Sequence, residues 1–200
     1  MPIGIDFELQ AHGEGFRFIA GVDEVGRGCL AGPVVAAACI LDLAKPLPRG
    51  LNDSKKLTAK RRGEIAEQLK ADYACVFAVG QVEAEEIDRI NILEATRKAM
   101  RIAIEKLNPR ADFLLIDAVQ LKDVAFPQKA IIKGDSISAS IAAASILAKT
   151  YRDALMTGYD REFPHYGFAS HVGYGTAVHL EALRSHGPCQ LHRKTFRGVL

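Results

Sequence analysis

The chain has 200 residues, 48% of them hydrophobic and 25% charged, which suits one core-bearing domain and excludes disorder over most of its length. Its formal charge of +2, from 26 basic and 24 acidic residues, excludes a uniformly basic surface, so any nucleic-acid face must come from local clusters. Cys29, Cys39, Cys75 and Cys189 form neither a C-x-x-C pair nor a zinc spacing, and residues 1–16 contain no apolar signal core; buried free thiols and a reducing, cytoplasmic setting are expected, with no membrane partner.

Arg17–Asp23 is a short apolar run bounded by glycines and reads as a buried strand; Pro33–Leu41, rich in Val and Ala, reads as a second. The turn signal Gly26-Arg27-Gly28 between them predicts an antiparallel hairpin with an elaborated tip. Residues 42–56 should be a loop. Thr58 then caps a helix through Lys70 that presents Ile65, Ala66 and Leu69. Lys55, Lys56, Lys60, Arg61 and Arg62 make the clearest basic cluster. Tyr73–Gly80 is a third strand. Asn91 caps the next helix with Glu94 as capping-box partner, and Leu93, Ala99, Ile102, Ala103 and Leu107 form its apolar stripe up to Pro109. Phe113–Asp117 and Lys129–Lys133 are further strands. A helix of small and apolar residues from Ser136 to Met156 should pack centrally on the sheet, and Thr176–His186 is a last helix. A basic tail follows, with His192, Arg193, Lys194 and Arg197. This order predicts an α/β architecture, a mixed sheet with helices on its faces. Residues 1–157 would form the main body, and 158–200 a loop, helix and tail packed on it.

Acids stand where a core is expected. Asp23 and Glu24 end the first strand, Asp117 ends the FLLID strand, and Asp135 follows Gly134 at a helix start. Asp117 alone could be a turn residue, and Asp135 alone a helix cap. Together, at the ends of strands in one sheet, they suit a hard dication. Mg²⁺ and Mn²⁺ favour carboxylates and water, and two such ions can serve an in-line phosphoryl displacement. No P-loop, G-x-S-x-G or Cys/His nucleophile pattern competes. The residues by themselves point to metal-dependent phosphoryl transfer or hydrolysis.

Six runs in order closely resemble type 2 ribonuclease H (RNase HII): G-V-D-E-V-G-R-G at Gly21–Gly28, D-S-K-K-L at Asp53–Leu57, L-L-I-D-A at Leu114–Ala118, I-K-G-D-S at Ile132–Ser136, S-I-A-A-A-S-I-L-A-K-T-Y-R-D at Ser140–Asp153, and G-Y-G-T at Gly173–Thr176. The resemblance implies an RNase H-like mixed five-stranded sheet flanked by helices, with a helical C-terminal extension. It implies an endonuclease acting on RNA–DNA hybrids and on duplex DNA with embedded ribonucleotides, leaving 5′-phosphate and 3′-hydroxyl ends. Asp23, Glu24, Asp117 and Asp135 match the family's ligands for Mg²⁺ or Mn²⁺. Gly26, Arg27 and Gly28 match the motif that grips the ribonucleotide at its 2′-hydroxyl, and Tyr174 matches the tyrosine that packs on the neighbouring deoxyribose. Ser54, Lys55 and Lys56 are plausible phosphate contacts. Arg27 could serve a phosphate or a carboxylate. The chain departs from the family at Ile137 and Val172, which replace polar or basic residues. His165, His171 and His179 read as surface or packing histidines rather than proton carriers. Other RNase H-like nucleases share the carboxylates but have no use for the G-R-G and G-Y-G pair. A non-catalytic hybrid-binding subunit should have lost acids that this chain keeps. Nothing demands more than a monomer.

Overall fold

In the computed structural model, which describes residues 3–71, 75–122 and 124–200, the first two apolar runs become β1 (Ile19–Val25) and β2 (Val34–Leu41), joined as the expected antiparallel hairpin. β3 (Cys75–Val82) pairs antiparallel with β2; Tyr73 of the expected third strand lies outside the described residues. β4 (Phe113–Asp117) and β5 (Gln128–Ile131) add in parallel on the other side of β1, completing the mixed five-stranded sheet in the order β3-β2-β1-β4-β5.

The sheet is covered on both faces, and β2 shows what that does to a sequence. Every residue of β2 is buried. Val34, Ala36, Ala38 and Ile40 enter one core with α4 (Ile92–Glu105). Val35, Ala37, Cys39 and Leu41 enter the opposite core with α2 (Ala59–Ala71) and α5 (Ala139–Glu162). Alternation vanishes because both faces are dry, which leaves a continuous apolar run. Gly21 of β1 admits α5 at very short range: a Cβ there would lie 2.1 Å from the Ser140 carbonyl carbon.

Several expectations are corrected. Asn91 Oδ1 accepts the Leu93 and Glu94 amides at 2.9 and 3.1 Å, but the Glu94 carboxylate turns to Arg97, so the reciprocal half of the capping box is not made. Leu93 is 39% exposed and outside the stripe, which Ala95, Ala99, Met100 and Ala103 form instead. The central helix starts at Ala139 with Ser138 as its cap, and Gly134–Ser136 is a separate 3-10 turn. Its far end reaches Glu162, so the loop expected from Gly158 begins later, and the division drawn after residue 157 falls inside a continuous helix. Two short helices were not legible: α1 (Asp6–Gly13) and α3 (Ala84–Ile90). α1 is anchored by buried Glu8, which accepts from Ser138 Oγ, Ser140 N and Ser140 Oγ at the N-terminus of α5, where the helix dipole favours an anion.

A one-turn helix, α6 (Phe168–His171), precedes α7 (Ala177–His186), which Thr176 caps through the His179 amide. The tail then folds back. The Arg193 amide donates to Leu30 O, and Asp88 accepts from the Lys194 and Thr195 amides. The tail's basic cluster is thereby split: His192 and Arg193 are buried, while Lys194 and Arg197 are exposed. Among the described residues, no helix is long and apolar enough to cross a membrane.

Candidate active site

β1 and β4 run parallel, with Val22 beside Ile116. The next residues along, Asp23 and Asp117, therefore emerge together at the carboxyl ends of adjacent strands, where open sheets bind ligands. Successive residues of a strand face opposite sides, yet Asp23 and Glu24, still paired with Ala37 and Ala36 of β2, both line one cleft beyond the last β1–β4 pair. The cleft holds about 250 Å³.

Each acid has a defined partner. Asp23 is buried; its Oδ1 accepts the Glu24 amide at 2.8 Å, and the nearby Ser145 hydroxyl of α5 favours its charged form. Ser145 Oγ lies 2.9 Å from Ser54 Oγ. Asp117 Oδ1 accepts the Gly134 amide at 2.7 Å. Asp135 is buried, and its Oδ2 takes the Lys55 ammonium at 2.8 Å. Glu24 Oε1 meets Arg27 Nη1 at 3.2 Å, while Glu24 Oε2 is buried with no hydrogen-bond partner.

The electrostatics are those of an acid cluster short of positive charge. Burial, with the charge of Glu24 beside it, pushes the Asp23 carboxyl well above its usual range. Burial also raises Glu24, against the pull of Arg27, and raises Asp117, against the Gly134 hydrogen bond. The hydrogen bond to Asp135 raises Lys55. As they stand, no three His, Cys, Asp or Glu side chains among the described residues form a group that could hold a metal ion. Their oxygens are turned onto Lys55, Arg27 and backbone amides. The chemistry of the donor set nonetheless fits a hard dication. It is all oxygen, its members raise one another's pKa values, and one buried carboxylate oxygen is unsatisfied.

Of the expected site residues, Asp23, Glu24, Gly26, Arg27, Gly28, Ser54, Lys55, Asp117 and Tyr174 line the cleft. Asp135 pairs with Lys55 and is not itself in the cleft lining, and Lys56 is exposed and outside that lining. The cleft wall also contains Val25, Arg62, Ser145 and Lys149. Ser145 and Lys149 are four residues apart on α5, a spacing that puts them on one face; an expectation of simple packing for that helix hid them. Arg62 and Lys149 both reach Asp153, at 3.6 and 2.6 Å.

Two glycines explain how the two loops approach. Gly26 has φ +90°, and a Cβ there would lie 2.3 Å from Arg152 Nε. Gly173 has φ +87°, and its Cβ would lie 2.4 Å from Ala31 O. Behind Tyr174 sit three buried histidines. His171 Nδ1 accepts the Gly173 amide at 3.2 Å, His179 Nδ1 lies 2.9 Å from Tyr174 O, and His179 Nε2 lies 3.0 Å from His192 Nε2. His165 stacks on His186. Ile137 and Val172, the two departures from the family pattern, are half-buried against apolar clusters.

A family model described as Ribonuclease HII matches residues 20–199. The chain is 59% identical over 193 residues to a ribonuclease HII of Chlamydia caviae, covering 96% of this chain and 90% of that protein. It is similar to the crystal structure of ribonuclease H2 from Pyrococcus horikoshii, with TM-score 0.75 and 26% identity over 92% of this chain and 95% of that one. The structure of Bst-RNase HIII in complex with Mn²⁺ shares the fold at TM-score 0.70 and 23% identity, covering 96% of this chain and 70% of that one.

Proposed function

Because the chain belongs to the ribonuclease HII family, enzymes that hydrolyse RNA in RNA–DNA hybrids, we propose that it is an endonuclease that also cuts 5′ of ribonucleotides embedded in duplex DNA and leaves 5′-phosphate and 3′-hydroxyl ends. It would work as a monomer in the cytoplasm. The observation that carries this reading is the meeting of Asp23, Glu24 and Asp117 in one cleft with Tyr174 and the Gly26–Gly28 turn.

Asp23, Glu24, Asp117 and Asp135 would hold Mg²⁺ or Mn²⁺; a pair of such ions supplies the positive charge that activates an attacking water and steadies the departing oxygen. The chain's own residues do the rest. The Gly134 amide orients Asp117, and the Glu24 amide orients Asp23. Lys55 holds Asp135 through its ammonium, whose exposed side is open to a phosphate in the cleft. Arg27 bridges Glu24 and the solvent side of the turn, within reach of a phosphate oxygen. A methyl group at Gly28 would meet nothing within 4 Å, so that side of the turn is open to a ribose whose 2′-hydroxyl marks it as RNA. Tyr174, 44% exposed at the cleft edge, offers its ring to a sugar without that hydroxyl. Ser54 and Lys55 flank the path as phosphate contacts, with Arg62 and Lys149 beside them. Lys56, exposed next to Lys55 in the chain, would add a further phosphate contact.

The test is a DNA duplex carrying one ribonucleotide. Cleavage 5′ of that nucleotide is expected with Mg²⁺ or Mn²⁺ and not with chelator. Asp117→Asn should abolish it with the melting temperature preserved; near-normal turnover by that variant would refute the site.

A further inference from the structure

Arg152 on α5 and Arg193 in the tail are both fully buried. Among the described residues neither forms an ion pair. An unpaired buried charge is expensive unless its hydrogen bonds are well met. Here they are met entirely by main-chain carbonyls, all of them in the two segments that carry the Gly26–Gly28 turn and Tyr174. Arg152 donates from Nε to Pro33 O (2.9 Å), from Nη2 to Ala31 O (2.9 Å) and from Nη1 to Val172 O (2.7 Å). Arg193 donates from Nε and Nη2 to Gly32 O (3.0 and 2.9 Å) and from Nη1 to Arg27 O (3.0 Å).

The connectivity is specific. Arg193 ties the Gly26–Gly28 turn to Gly32. Arg152 ties the 31–33 segment to the residue just before Gly173-Tyr174. The Leu30 amide closes the loop by donating to Gly173 O at 2.8 Å. The side chain of Arg152 also fills the space where Gly26 would carry a Cβ. One planar fork reaches several carbonyls in fixed directions, which a point-like ammonium does not do.

We infer that Arg152 and Arg193 are positioning residues that set the gap between the Gly26–Gly28 turn and Tyr174, and so determine selectivity for a ribonucleotide followed by a deoxyribonucleotide. This rests on the proposed reading of those two elements as sugar contacts. A long RNA tract presents the same sugar throughout and depends less on that gap. A junction must place two different sugars at once.

The experiment measures kcat and KM for Arg193→Lys, Arg152→Lys and Tyr174→Ala on two substrates: a duplex with one ribonucleotide and a long RNA–DNA hybrid. The ratio of the two kcat/KM values does not depend on how much of a preparation is folded, so a partly unfolded variant still reports. For Arg193→Lys, kcat/KM at the single ribonucleotide should fall about tenfold more than on the hybrid, mainly through KM, as expected for a misplacement of well under an ångström. Arg152→Lys should do the same. A selective loss in Tyr174→Ala beside equal losses on both substrates in the arginine variants overturns the inference alone. Equal losses on both substrates in Tyr174→Ala overturn the junction reading of Tyr174, and the inference with it.

Discussion

His192 is buried against His179, and its protonation state is decided by bonds that leave it no room to gain a proton. The Cys189 amide donates to His192 Nδ1 at 3.0 Å, so that nitrogen is bare and Nε2 carries the hydrogen. That hydrogen points at His179 Nε2, 3.0 Å away, and His179 gives its own to Tyr174 O. Burial, together with the neighbouring His179, pushes His192 down to about 4, against roughly 6.5 in an unfolded chain. Above pH 6.5 neither state is protonated there, and the contribution to stability is complete. As the pH falls from about 6.5 to about 4, the unfolded chain takes up a proton that the folded one refuses, and stability drops. Below about 4 both are protonated and the loss levels off. A gap of about 2.5 pH units corresponds to on the order of 3 kcal/mol, or roughly 6–12 °C of melting temperature for a chain of this size. Burial of Asp23, Glu24 and Asp117 works in the opposite direction, because their raised pKa values favour the folded state as protons are added. A non-titrating variant isolates the histidine. In His192→Asn the amide oxygen can still accept from Cys189. Chemical denaturation at pH 7, 6, 5 and 4 without divalent ions should show the variant less stable at pH 7, with the gap to wild type closing by about that amount toward pH 4. A gap constant across the range would refute the reasoning.

Three further outcomes are expected. Asp23→Asn should raise the melting temperature in the absence of divalent cations while abolishing turnover, since burial and the charge of Glu24 disfavour the ionised Asp23; a lower melting temperature would show that the carboxylate is satisfied within the chain. Gly21→Ala would drive a methyl group into the Ser140 backbone at 2.1 Å, and because both sides of that contact are main chain the loss should reach about 1–3 kcal/mol or more by urea denaturation. Lys149→Ala, in the cleft wall, should raise KM for every nucleic-acid substrate and lower the salt dependence of binding by about one ion, whereas an unchanged salt slope would mean that its charge is spent on Asp153.

The features legible in the sequence are those with a local physical cause. β1, β2 and β4 announce themselves because burial on both faces leaves continuous apolar runs ended by turn residues. Asp23, Glu24 and Asp117 stand out because a carboxylate closing such a run needs a partner. The cap at Thr58 was readable from side-chain chemistry alone, since its hydroxyl accepts the Arg61 amide at 3.2 Å. α1 and α3 were not readable: with 8 and 7 residues they are too short to form alone, and α1 depends on Glu8 reaching a helix start 130 residues away.

By itself, then, the sequence determined which residue types end which strands, and through them a carboxylate site on a mixed sheet. Only the tertiary structure decided what surrounds that site. Arg193 reads as one more charge in a basic tail, yet the returning chain delivers it to Gly32 and Arg27 carbonyls that no local pattern could supply. His171, His179 and His192 come from a short helix, a longer one and the tail, and become one buried cluster because the fold brings them together behind Tyr174. Burial of a polar side chain depends on partners distant in sequence. A reading of periodicity and motif therefore finds the acids, and the folded chain supplies the groups that hold the loops around them.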